Sequence, residues 1–216
     1  MAHALTGDAY LGHVFWDTEI YLLPFYIAVW PEAAWALLTY RYHTLPGARA
    51  KASHFGFKGA LYAWESADTG AETTPERVVV SDGTVVEKLT GQMEHHISAD
   101  VAYAVWQYWR TTGDDDFFLR AGAKILLDTA RFWASRAVAE ADCRRHIRHV
   151  IGPDEHYEDV DDNAFINVMA RWNLARALEA VDLLQARWAD QAAAFDRSWR
   201  LATMSLRTGA TRWRAL

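Results

Sequence analysis

A single cysteine, Cys143, stands among 216 residues, so no intrachain disulfide framework can staple the fold, and a reducing compartment suits the chain. Basic side chains are also in the minority, with 22 Lys and Arg against 28 Asp and Glu and a formal charge of -6. Nucleic-acid and membrane-surface binders need a basic face to neutralise phosphates, so neither class is expected. Long apolar runs are missing as well. The stretch from Ile20 to Trp30 is broken by Pro24 and falls short of the roughly 20 residues a membrane span needs. Met1 to Asp8 shows no basic segment followed by an apolar one, so no export signal is read there and a cytoplasmic protein is expected. GxGxxG, GxxxxGKS/T and GxSxG are absent, which removes support for nucleotide binding and for serine hydrolysis.

What is present is apolar and aromatic. Hydrophobic residues make up 51% of the chain, enough for a sizeable core, and there are eleven Trp and nine Tyr. Thr18 to Leu45 reads as a helical hairpin broken at Trp30-Pro31, since proline suits a first helical turn. A third helix is expected from about Ala48 to Tyr62, after a turn at Pro46-Gly47. The irregular stretch that follows contains Arg77-Val78-Val79-Val80 and Thr84-Val85-Val86 around Ser81-Asp82-Gly83, the pattern of a short β-hairpin. Ile97, Val101, Ala104, Val105 and Tyr108 recur at three and four, predicting an amphipathic helix over 98–111 closed by Gly113. Asp114 to Asp116 open the next helix, which reaches to about Val138, and the last begins near Asn163. Successive helical hairpins without βαβ units predict an all-α toroid or bundle.

Three motifs pair a carboxylate with an aromatic ring: Trp16-Asp17, Trp64-Glu65, and Asp154-Glu155 beside Tyr157. All three are expected at or just before helix N-termini, and so to converge at one end of the array. Carboxylates protonate or hydrogen-bond sugar oxygens, and flat rings stack on the apolar faces of pyranoses. Each motif also has a plainer explanation, a core tryptophan followed by a helix-opening acid, or a capping acidic turn. His96 and Asp100, four apart, share a helical face, but no HExxH or Cys/His spacing accompanies them and no metal is expected.

Taken in order, Gly12-His13-Val14-Phe15-Trp16-Asp17-Thr18-Glu19, Tyr62-Ala63-Trp64-Glu65-Ser66-Ala67-Asp68-Thr69-Gly70, Glu94-His95-His96-Ile97-Ser98-Ala99-Asp100 and Gly152-Pro153-Asp154-Glu155 resemble glycoside hydrolase family 65, the maltose, trehalose and kojibiose phosphorylases. The resemblance covers about residues 5 to 184. It implies part of an (α/α)6 barrel that cleaves an α-glucosyl disaccharide with inversion, releasing β-glucose 1-phosphate. It further implies Glu155 as general acid, Trp16, Asp17, Trp64, Glu65, His96 and Asp100 as substrate-binding residues, and Glu158 in support. The partners implied are a disaccharide and inorganic phosphate as co-substrate, with no cofactor and, in full-length relatives, a homodimer left open. Inverting hydrolysis of trehalose or a related α-glucoside, and an inactive sugar-binding fragment, remain the alternatives. Family members place a β-sandwich before the barrel and their phosphate-binding residues in later loops, and neither region is read here. Residues 1–184 are therefore expected as a partial barrel domain, and 185–216, where five Arg and no acid occur after residue 196, as a divergent tail of a truncated or frameshifted frame.

Overall fold

The computed structural model describes residues 9–194. The described chain is all-α, with short strands confined to its loops. A π-helical turn over Thr18–Leu22 leads into α1 (Leu23–Val29), and α2 (Pro31–His43) follows after the break at Trp30, as proline in the first turn predicts. α3 (Leu45–His54) already contains Pro46 and Gly47 and stops eight residues before the expected end at Tyr62. The reason is backbone geometry combined with tertiary bonding. Gly56 and Gly59 take φ of 77° and 78°, and the chain then runs back so that Leu61 N donates to Ala48 O and Ala60 N to Asp128 O.

α4 (Thr90–Met93) is a single turn before α5 (Ile97–Thr112), the helix predicted from its periodicity. Ile97, Val101, Ala104, Val105 and Tyr108 are all buried, and the helix closes on Gly113 in the left-handed region. Asp114 then caps α6 (Asp115–Phe117), its carboxylate accepting from Phe117 N at 2.9 Å. A π-helical turn over Phe118–Gly122 joins α6 to α7 (Ala123–Arg136). α8 (Ala164–Arg187) is capped by Asn163, whose side chain accepts from Ile166 N. α8 crosses the boundary read at residue 184, and α9 (Ala189–Ala194) ends the described chain, so most of the tail lies outside it.

α5 is the central helix. It packs against α1 and α2 on one side and α7 and α8 on the other, and its buried face contributes to both clusters of the core. Three antiparallel strand pairs decorate the loops: β1 (Val14–Phe15) with β2 (Glu65–Ser66), β3 (Arg77–Val79) with β4 (Val85–Glu87), and β5 (Val138–Ala139) with β6 (Arg145–His146). Only the β3–β4 hairpin was expected. The described helices include none long and apolar enough to cross a membrane.

Candidate active site

β1 and β2 bring the first two motifs together. Phe15 is paired with Glu65 and Val14 with Ser66, so Trp16 and Trp64 leave the same two-stranded ribbon, and the Phe15 and Trp64 rings meet edge to face at 5.1 Å. Of the three motifs expected at helix N-termini, only Trp16-Asp17 stands there, directly before Thr18–Leu22. Trp64-Glu65 belongs to a strand, and Glu155 to a turn well ahead of α8, because tertiary pairing rather than helix capping holds both. Asp17 occupies an N-cap position without a capping hydrogen bond from its side chain, which sets aside the plain capping explanation.

The ribbon is anchored from behind. The Glu72 carboxylate accepts from Trp64 N at 3.0 Å and Glu65 N at 3.1 Å and pairs with the buried Lys51. Burial pushes the Lys51 ammonium below its usual value, against the pull of Glu72. Glu65 itself is buried and meets His13 Nδ1 at 2.7 Å. Around Trp16-Asp17, the fully buried Arg41 donates to Phe15 O at 3.2 Å and to both oxygens of Glu19 at 2.7 Å. One guanidinium thus grips the chain on both sides of the dipeptide. Burial alone would disfavour the Arg41 charge, but Glu19 outweighs it and the pKa is raised.

The Glu155 loop is closed by a bridge in which Val150 and Val160 exchange backbone hydrogen bonds of 3.0 and 2.9 Å. Ile151 N donates to Met93 O at 3.0 Å, which ties the loop to the residue preceding Glu94. Gly152 permits the close approach to α8, since a Cβ there would lie 2.4 Å from Asn163 Nδ2. Glu155 is half-buried, whereas Glu158 is exposed.

Between these segments lies a buried chain of three side chains. Asp100 Oδ2 contacts His96 Nδ1 at 2.5 Å, and His96 Nε2 contacts Glu94 Oε1 at 2.8 Å. All three are fully buried, and both ring nitrogens of His96 are engaged, so His96 and Asp100 stand behind the aromatic wall rather than in it. The Trp16 ring meets His96 edge to face at 4.8 Å, and Phe165 of α8 does so at 5.4 Å. The Trp64 indole beside Glu94 helps to hold its charge, although neither Nε1 nor Glu94 Oε2 reaches full hydrogen-bonding geometry. Burial, opposed by His96 and reinforced by Glu155, pushes Glu94 up to about 7. For His96 burial opposes the charge, yet Asp100 and Glu94 together raise it to about 9. Among the described residues no group of three or more His, Cys, Asp or Glu is disposed to hold a metal ion.

Residues 1–206 match the model of the glycosyl hydrolase family 65 central catalytic domain. The chain belongs to glycosyl hydrolase family 65. It is 54% identical over 191 residues to the kojibiose phosphorylase of Caldanaerobacter subterraneus subsp. tengcongensis, covering 88% of this chain and 25% of that protein. The kojibiose hydrolase of Flavobacterium johnsoniae is 43% identical, with 83% and 25% covered. A solved chain from the human microbiome, carrying the provisional name kojibiose phosphorylase, superposes with a TM-score of 0.79 at 26% identity over 96% of this chain and 29% of its own. The fold is accordingly a part of the family 65 (α/α)6 barrel, and the chain spans about a quarter of the length of the curated relatives it matches.

Within this family 65 site, the sequence motifs mark His96 and Asp100 but give no sign of the roles of Glu94 and Glu72. Glu72 had no neighbouring aromatic to mark it. Glu94 stood in a quoted motif, two residues before His96, and its i, i+2 relation to a histidine has no helical-face meaning in sequence.

Proposed function

We propose that the protein carrying this chain cleaves an α-glucosyl disaccharide of the kojibiose type by inverting phosphorolysis, releasing β-glucose 1-phosphate, with Glu155 as general acid. The observation that supports this best is the meeting of all four motifs at the buried Glu94 and His96, with Trp64 and Glu155 acting on Glu94 and Trp16 packed against His96. The indoles of Trp16 and Trp64 supply stacking faces for the glucosyl ring, and Asp17 and Glu65 supply acceptors for its hydroxyls. Glu155 protonates the glycosidic oxygen as the bond breaks, and phosphate attacks the anomeric carbon from the opposite face. Phosphate arrives already anionic, so this route needs no second carboxylate as base, whereas attack by water does. His96 and Asp100 take part from behind the wall.

The kojibiose linkage follows the names of the relatives, among them the phosphorylase at 54% identity. Hydrolysis is the second reading, favoured by the relative named kojibiose hydrolase at 43%. Both are tested by incubating the full-length protein with kojibiose, with and without phosphate. Phosphorolysis yields glucose 1-phosphate only when phosphate is present, and equal release of free glucose in its absence would instead establish hydrolysis. Glu155→Gln keeps the shape and removes the donated proton, and is expected to lower kcat by about 100-fold or more. Unchanged turnover in that variant would sink the assignment of the acid.

A further inference from the structure

The Asp100, His96 and Glu94 chain is unusual in its proton count. Two nitrogen-to-oxygen contacts, at 2.5 and 2.8 Å, each need a proton between the atoms, and a neutral imidazole carries only one. The ring is therefore doubly protonated, or one carboxyl holds the second proton. Either way a proton is locked in a place that solvent does not reach, since all three residues are fully buried. A buried charged group persists only where partners compensate its lost hydration, and removal of one partner strands the others.

The position of this chain gives it a task. The Trp16 ring and the Phe165 ring of α8 each meet the His96 ring edge to face, so the Trp16 segment and α8 share one imidazole. Met93 O, adjacent to Glu94, receives Ile151 N from the base of the Glu155 loop. Asp100 lies in the first turn of the central helix α5 and roots the assembly in the core. We infer that Glu94, His96 and Asp100 form a proton-holding relay that positions Trp16 and the Glu155 loop against each other, none of the three touching substrate. The relay acts within the glucosyl transfer proposed above and rests on it.

The charged groups facing the relay come from every segment around it. Glu155 of the loop and Lys51 of α3 bear on Glu94, and Glu19 and Arg41 bear on Asp100. Neighbouring His95 faces away, its Nε2 donating to Gln92 O at 2.8 Å and its Nδ1 accepting from Arg136 Nε at 3.2 Å. The raised value of His96, about 9, agrees with a proton retained at neutrality.

The decisive measurements use the full-length protein. In His96→Gln, which spans only one of the two contacts, kcat should fall about 100-fold, as for a site displaced by about 1 Å, with KM close to wild type. Glu94→Gln keeps shape and an acceptor for His96, and should recover most of kcat with an altered pH profile. Ring ¹⁵N NMR of histidine-labelled wild type should find His96 protonated on both nitrogens, or hydrogen-bonded to a protonated carboxyl, at pH 7, and titrating on the alkaline side. This last readout needs no variant to fold. A turning-over wild type whose His96→Gln form keeps kcat and pH profile overturns the relay, as does a His96 ring that titrates like a free histidine. A wild type inactive on every glucoside, with or without phosphate, counts against the proposed reaction instead, and the NMR result still decides the relay.

Discussion

His95 and His96 are neighbours in the chain and differ in protonation for reasons that lie entirely in what each one touches. Burial, joined by the nearby charges of Arg136 and Lys51, pushes His95 down to about 3, so it stays neutral and serves as acceptor for Arg136. His96, equally buried, is flanked by two carboxylates instead, which raise it to about 9. Their effects on stability run in opposite directions. The unfolded chain takes a proton on His95 below about 6.5 that the fold refuses until about 3, so this residue makes stability decline as the pH drops across that window. Replacement by Gln, which retains an acceptor for Arg136 and a donor for Gln92 O, should remove up to about 1.4 kcal/mol per pH unit from that decline. Urea denaturation at pH 6.5 and 4.5 measures it, and identical slopes for wild type and His95→Gln would contradict the assignment. For His96 the stabilisation is complete below 6.5 and disappears as the pH rises through about 9. Sequence alone registers two histidines in a row. It says nothing about which faces Arg136 and which faces Asp100, because Arg136 is forty-one positions from His95.

At the scale of the element, α5 was legible almost end to end from its repeating apolar face, whereas the helix expected from Asp114 to about Val138 is divided into α6, a π-helical turn and α7. The spacing of Ile97, Val101 and Val105 demands a buried stripe, Gly113 terminates it, and the side chains of Asp114 and Asn163 accept the hydrogen bonds that open α6 and α8. Asn163 does double duty, since the Gly152 backbone packs against its amide at the base of the Glu155 loop. Asn163→Ala should therefore lower stability by about 1 kcal/mol, the usual worth of a cap, and also reduce kcat by loosening the loop. Thermal melts and steady-state kinetics separate the two effects, and a variant with unchanged melting would show the cap to be dispensable. The elements that escaped sequence reading are those made by distant partners. β1 and β2 are two residues each, too short for any alternation to register, and they form because Phe15 and Glu65 pair across fifty residues of chain. α3 was read too long because its apolar continuation through Ala60 and Leu61 looks helical, whereas those backbone N–H groups are taken by Asp128 O and Ala48 O.

For the molecule as a whole, the surface is as informative as the core. Tyr21, Phe25, Val29 and Trp30, on and beside α1, are each about 60% exposed, and Val168 on α8 is 66% exposed. An apolar face of this kind is uncommon on a free surface. With the chain spanning about a quarter of its relatives' length, further barrel helices are the natural cover for it. Residues 9–194 expressed alone are expected to bind a hydrophobic dye and to associate with rising concentration. Phe25→Glu combined with Trp30→Glu should suppress both. Dye fluorescence and sedimentation provide the check, and a dye-silent monomer would mean that the face tolerates water.

By itself the sequence determined the all-α class, the hairpin at Trp30-Pro31, the long helices with their caps, and the family resemblance from which Trp16, Trp64 and Glu155 are proposed as one site. These follow from local periodicity, from residues with fixed backbone preferences, and from short runs of neighbouring side chains. Tertiary structure alone decided that Trp64 and Glu155 come to bear on Glu94, that His96 is held between two carboxylates, that Glu72 and Arg41 brace the segments carrying Trp64 and Trp16, and where α3 ends. Each of those depends on hydrogen bonds and charges between residues brought together only by folding, and such pairings leave no periodic trace in a single chain.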